Sequence, residues 1–360
     1  MNTPLESAPA ADEDTTAAPD RPIFIVGCPR SGTTLLQLMV HAHPRIAIPP
    51  ETRHLLDLYL RHAEFGDLRE RANRSAVADH ILAERRFKDL KLDREQVRTA
   101  IEQGPPTMGS ALGIVLQEYA HKFGKARWGD KRPLYINHLS AIFEMFPDAQ
   151  IVHIIRDGRA CVASLKRMPW WDGGSISAMS RWVQAMYIGS RARATLRPDQ
   201  YHEISYEKLV ADPQPQLEAL CAFLGEPFAA SMLEPREVAH AVPKRKKHHA
   251  NTRGEVSQAP VDAWRQELEE WEVAVFETVA RKWLLRHGYE LVSSPRKAPP
   301  QALARAVWNV VRRRADVARK QLQERRVARA ATAPLAAQLT AGQRRLAAQR
   351  GELFESQPSA

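Results

Sequence analysis

Gly27 and Gly32 bracket Cys28-Pro29-Arg30-Ser31, and two threonines, Thr33 and Thr34, follow at once. GxxxxG is the spacing of a phosphate-binding loop, whose backbone N–H groups and following helix N-terminus hold an anion. Ser31, Thr33 and Thr34 add hydroxyl donors. Two departures separate this loop from one made for nucleoside triphosphates. The lysine that would reach the β- and γ-phosphates is replaced by Thr33, and the nearest cation is Arg30, inside the loop. Further on, the apolar run Gln150 to Ile155 ends at Arg156, where a triphosphatase places its magnesium-holding acid, and Asp157 comes one residue later. An arginine at that point suits a second phosphate.

These residues need elements to position them. Arg21 to Gly27 (RPIFIVG) and Gln150 to Ile155 (QIVHII) are short apolar, β-branched runs, the pattern of fully buried strands, and Tyr201 to Ser205 is a weaker third. Thr34 to His41 reads as a helix that Pro44 ends, Pro133 opens one through Phe146, Asp157 to Arg167 is another, and Gly225 ends one over Pro213 to Leu224. The stretch from Glu51 to about Phe123 is helical in pattern, with Ser75 and Asp93 as caps and Gly104-Pro105-Pro106 as a break. Ala263 to His287 is amphipathic throughout. Strands alternating with helices predict an α/β fold, a parallel sheet flanked by helices.

The chain has 360 residues, 44% hydrophobic and 26% charged, enough for one large domain with decorations. Its net charge of +10 is accounted for by residues 301–350, where twelve Arg or Lys face two acids, Asp316 and Glu324. The expected organisation is a disordered leader (1–20), a catalytic domain (21–292) with a helical insertion (61–125), a linker (293–300) and a basic helical tail (301–360). Glu226 to Pro260 reads as a long loop. The tail sets Leu303, Val307, Val310, Val311 and Val317 beside Arg312 to Arg314, Arg319 and Lys320, a pattern suited to a peripheral membrane contact or a partner helix through residues 301–330. No nucleic-acid module is recognised, so no specific nucleic acid is expected, and a homodimer stays open. No apolar run is long enough for a membrane span. Cys28, Cys161 and Cys221 are widely spaced, without a zinc pattern, which suits a reducing compartment; the cytoplasm is the default location.

PRSGTTLL (Pro29 to Leu36) and IIRDGRACVASLKR (Ile154 to Arg167) resemble the 5′-phosphosulfate loop and 3′-phosphate segment of sulfotransferases that use 3′-phosphoadenosine 5′-phosphosulfate. The resemblance runs from about Arg21 to Tyr289. It implies a fold like that of P-loop nucleotide hydrolases, with Arg30, Ser31, Gly32, Thr33 and Thr34 on the 5′ side of the donor and Arg156 and Ser164 on the 3′-phosphate. AHPRIAIPPETRHL (Ala42 to Leu55) is similar to the tyrosylprotein branch, whose proposed general base maps to Glu51, with Arg53 beside it. GDKRP (Gly129 to Pro133) is similar to the place of that branch's catalytic lysine, giving Lys131, and SYEKL (Ser205 to Leu209) to that of a donor-contacting tyrosine, Tyr206. The branch's late lysine falls on Gln258, for which Lys244 to Lys247 could compensate, and its paired lumenal cysteines and membrane anchor are absent. The implied reaction passes a sulfuryl group to an acceptor hydroxyl of a peptidyl tyrosine, a small phenol, a sugar or a lipid, with no metal.

Read without the resemblance, Glu51 is equally a helix-start acid favoured by the dipole, Lys131 a solvated loop lysine, and Arg156 a partner of Asp157. His41, His43 and His54 suit capping or surface roles, and Trp170, Trp171 and Trp182 suit helix packing or an acceptor cleft. A P-loop nucleotide kinase or ATPase is one alternative for the whole chain. A non-catalytic protein docking through its basic tail is the other.

Overall fold

The computed structural model describes residues 20–238, 261–331 and 333–353. The leader up to residue 19, the cluster Lys244 to His249 and Gln258 lie outside them. Five parallel strands form one sheet in the order β2-β3-β1-β4-β5: β1 (Ile23–Gly27), β2 (Ile46–Ala47), β3 (Arg127–Lys131), β4 (Gln150–Ile155) and β5 (Tyr201–Ser205). Every residue of β1, β3 and β4 is buried, as expected for parallel strands covered on both faces. The three strands expected from apolar runs are present, and β2 and β3 join them. β3 has no apolar run to announce it, because its sequence is RWGDK. Arg127 is buried by donating to Glu226, Gln150 and the carbonyls of Leu224 and Arg21, so tertiary partners supply what its composition lacks.

Helices complete the layers: α1 (Thr33–Ala42), α2 (His54–Arg61), α3 (Arg71–Ala83), α4 (Arg94–Gln103), α5 (Met108–Lys122), α6 (Leu139–Met145), α7 (Gly158–Lys166), α8 (Gly174–Thr195), α9 (Tyr206–Ala211), α10 (Pro213–Leu224), α11 (Trp264–Glu267), α12 (Glu270–Arg286), α13 (Pro300–Arg329) and α14 (Ala341–Gln349). Asp93 caps α4 by accepting from the Gln96 N–H, and Gly225 ends α10 in the left-handed region. Ser75 is not a cap. It sits inside α3 and donates to Glu102. Pro133 opens a 3₁₀ turn through His138 before α6 begins, and the expected helix 263–287 divides at Leu268, where Glu269 and Glu272 form the capping box that starts α12.

One core packs the outer face of β1 and β4 against α5, α7, α8 and α12, and a second packs the opposite face against α1, α9 and α10. The C-terminal part is built into this body. α13 lies against α8, where Arg313 donates to Ser180 Oγ; Gln321 donates to the Asn137 carbonyl, and Tyr59 to that of Glu324. Leu335, Ala336 and Ala337 are buried, tied to α5 and α6 through bonds from Gly109 N–H to Leu335 and from Ala337 N–H to Met145. Among the described residues no helix is long and apolar enough to cross a membrane.

Candidate active site

Parallel register brings the chemistry to one edge. Lys131, the last residue of β3, is level with Ile25; Gly27 is level with Ile154; and Ile155 is level with Ser205. The loop after β1, the end of β3, Arg156 after β4 and Tyr206 after β5 therefore meet at the carboxyl ends of the strands, where open α/β sheets bind ligands.

The loop before α1 is fixed by its glycine and by buried hydroxyls. Gly32 caps α1 at φ 91° and brings no side chain to the first N–H groups of that helix, and Ser31, Thr33 and Thr34 are buried around it. A Cβ on Gly32 would lie 2.4 Å from the Tyr206 ring, so glycine is required by conformation and by contact. Arg30 takes φ 74°, unusual for a side-chain-bearing residue and the kind of strain that persists where the surroundings impose it. Its Nε donates to Ser164 Oγ at 3.0 Å. Arg156 donates to the Arg30 carbonyl at 3.1 Å and stacks over the Tyr206 ring at 4.4 Å. Arg30, Arg156, Ser164 and Tyr206 thus form one cluster flanking the loop. Asp157 does not pair with Arg156; it pairs with Arg159, and its carboxylate caps α7. Burial, and then the neighbouring Arg156 charge, push the Arg30 guanidinium below its ordinary range.

On the other side of the loop stands Lys131. It is buried, not a solvated loop lysine, and its Nζ lies 3.4 Å from Thr34 Oγ1 and 3.9 Å from Glu51 Oε2. Glu51 precedes α2 by three residues and does not cap it. Arg86 and Arg132 stand 3.6 and 3.9 Å from its Oε1. The segment carrying Glu51 is pinned to α1: Gln37 Nε2 donates to the Pro49 carbonyl at 2.6 Å and the Ile48 N–H to His41 Nδ1 at 3.1 Å. His41 is thereby a structural residue, as is His43, whose Nδ1 accepts from the Arg45 N–H.

Beneath Glu51 lies an arrangement that the sequence did not reveal. Buried Asp130 accepts from Thr52 Oγ1, Tyr135 Oη and the Lys131 N–H at 2.8, 2.7 and 2.8 Å. Burial pushes its carboxyl up despite these bonds. It ties the residue after Glu51 to the residue before Lys131. Asp130 stands next to Lys131 in GDKRP, which was the available signal; Arg86, from the helical layer, offered none. Trp182 is fully buried and donates to the Arg156 carbonyl, whereas Trp170 is exposed. A cavity of about 470 Å³ opens beside Arg132, lined also by Arg53, His54, His138, Lys320 and Glu324 among others. Two of these come from α13. Among the described residues no group of His, Cys, Asp or Glu is arranged as a metal site.

A family model described as "Sulfotransferase family" matches residues 22–230, more than half of the chain. A protein-tyrosine sulfotransferase of Drosophila melanogaster is 30% identical over 224 residues, covering 60% of this chain and 40% of that one. Protein-tyrosine sulfotransferase 1 of Danio rerio is 27% identical, and that of Homo sapiens 28%, each over 60% of this chain and 56% and 54% of theirs. The chain thus spans about half the length of the curated relatives it matches. Among solved structures, a sulfotransferase domain from the curacin biosynthetic pathway superposes with a TM-score of 0.56 at 20% identity, over 77% of this chain and 100% of the other. One from the Synechococcus PCC 7002 olefin synthase gives 0.54 at 23%, over 78% and 100%. At those identities the likeness is one of fold.

Proposed function

Because the chain belongs to the sulfotransferase family, we propose that it moves a sulfuryl group from 3′-phosphoadenosine 5′-phosphosulfate to an acceptor hydroxyl. The observation that carries this reading is the position of Lys131 Nζ between Thr34 Oγ1 at the N-terminus of α1 and the Glu51 carboxylate. In that geometry the acceptor oxygen attacks sulfur while Glu51 takes its proton, and the bond from sulfur to the phosphate oxygen breaks. Lys131 and the N–H groups of α1 face the charge that gathers on the departing phosphate. Arg156 and Ser164, with the Tyr206 ring beside them, serve the second phosphate of the donor, and Arg30, bonded to Ser164, stays with the 5′ side at the loop.

For the acceptor, a peptidyl tyrosine is the first candidate, since the matched relatives are named protein-tyrosine sulfotransferases. The cavity lined by Arg132, one of the cations against Glu51, has room for a phenol ring. Ligand stabilisation tests the donor site. Adenosine 3′,5′-bisphosphate should raise the melting midpoint and magnesium ATP should not, and Arg30→Ala and Arg156→Ala should each weaken bisphosphate binding by about tenfold or more. Stabilisation by magnesium ATP alone would return the chain to the nucleotide kinases. Transfer of labelled sulfate to tyrosine peptides, phenols and sugars then ranks the acceptors.

A further inference from the structure

The outward face of α13 carries an apolar stripe that no described part of the chain covers. Ala304, Trp308, Val311, Ala315, Ala318 and Leu322 recur at alternating steps of four and three, so they share one face, with Val307 at its margin. All are exposed, Trp308 by 64%, Val311 by 54% and Leu322 by 51%. The opposite face, with Ala306, Val310, Val317 and Glu324, packs on the body, so this helix is apolar on two sides for two different reasons. Arg305, Arg312 and Arg319, seven residues apart, line one edge of the outer stripe; Arg314 lies on the other; Arg325, Arg326 and Arg329 close its C-terminal end, all of them exposed. Asp316, paired with Arg319, is the one exposed acid of the helix.

We propose that this face docks on an anionic lipid bilayer, with Trp308, Val311 and Leu322 entering the headgroup boundary and the arginine margins on the anionic groups. From Ala304 to Leu322 the stripe is about 27 Å long, suited to a helix lying in the interface plane. Indole at such a boundary satisfies both an apolar body and an N–H. A second copy of the chain fits less well. Pairing through the same stripe would set Arg305, Arg312 and Arg319 against themselves or against Arg314, and Ala315 and Ala318 offer little to interdigitate. The complement of this margin is a negatively charged surface. The inference is independent of the reaction proposed above.

Flotation of the full chain with vesicles of phosphatidylcholine, with and without one quarter phosphatidylglycerol, tests it at about 0.1 and 0.5 M salt. Binding is expected only to the anionic vesicles and should weaken at high salt. Each arginine near such a surface contributes about fivefold, so Arg305→Gln, Arg312→Gln and Arg319→Gln together should weaken binding about a hundredfold. Trp308→Ser with Val311→Ser should weaken it about tenfold or more. These side chains are exposed, so the melting midpoints should not move, and comparing the variants with the parent separates α13 from other basic segments of the chain. The proposal is overturned if the parent ignores anionic vesicles, if neutral and anionic vesicles bind alike, or if both variants bind like the parent. It is equally overturned if gel filtration shows a dimer that Trp308→Ser with Val311→Ser dissolves while vesicles are ignored.

Discussion

Glu51 is oriented by charge from three directions: Lys131 at the end of β3, Arg132 after it, and Arg86 from the helical layer, at 3.9, 3.9 and 3.6 Å. Asp130 secures the backbone on both sides of that contact through Thr52 and the Lys131 N–H. The carboxylate is thereby fixed beside the loop before α1, where the proposed base has to stand. Replacing Glu51 by Gln keeps the shape and removes the proposed base, so turnover should fall by about 10² to 10⁴ while bisphosphate affinity stays within a few-fold. Steady-state kinetics beside a binding titration measures both, and full turnover in a folded Glu51→Gln protein would exclude Glu51 as the base. At this scale the sequence offered Arg30, Ser31, Thr33, Thr34 and Arg156 through their spacing. It did not separate a buried Lys131 from a solvated one, because the difference lies in the neighbouring strand.

The contact between Gly32 at the start of α1 and Tyr206 at the start of α9 joins two elements across the sheet edge. Their separation is set by β1, β4 and β5, and it leaves no room for a Cβ. Gly32→Ala is expected to destabilise the fold by about 1 to 3 kcal/mol, from the backbone angle and the clash together, and to weaken bisphosphate binding. Adding Tyr206→Ala removes the clash but not the angle. Denaturant unfolding of the double variant should therefore show less destabilisation than the sum of the singles. Strict additivity would mean that the two residues do not touch. Strands β1, β4 and β5 were legible because burial on both faces leaves an apolar run. β3 was not, since its ends are charged residues whose partners are Leu224 at the end of α10, Thr52 just before α2 and Tyr135 in the 3₁₀ turn that follows the strand.

For the molecule as a whole, two buried histidines set a limit on acid stability. His54 and His153 are held neutral by burial, with folded pKa values lowered from 6.5 to about 4 and about 3. Among the described residues, His153 lies against Tyr201 with no partner for its Nε2, and His54 Nδ1 is likewise buried without one. The unfolded chain takes up protons below pH 6.5 that the native state refuses. The stability they contribute is therefore intact above about pH 6.5 and is lost as pH falls through that value toward 4 and 3. Between pH 7 and 5 the loss is about 2 kcal/mol for each histidine. Urea unfolding at a series of pH values checks this, and His54→Gln should flatten the slope by its share. An unchanged slope would mean that His54 is protonated in the native state or not buried in it.

Local pattern alone determined the glycine-bracketed turn between β1 and α1, three of the five strands, the α/β class and the split of charge between body and C-terminal part, because spacing, β-branched runs and capping residues act over a few neighbours. Only the tertiary structure decided that Gly129, Asp130 and Lys131 of GDKRP form a buried strand end, that Arg30 joins Arg156 and Ser164 while Asp157 turns to Arg159, and that α13 and α14 pack on the body. It also divided the single stripe of valines in α13: Val310 and Val317 face the core, and Val307 and Val311 face outward. A list of apolar positions does not say which of two faces meets a neighbour. That is settled by the long-range contacts that close the sheet and its helices into one packed molecule.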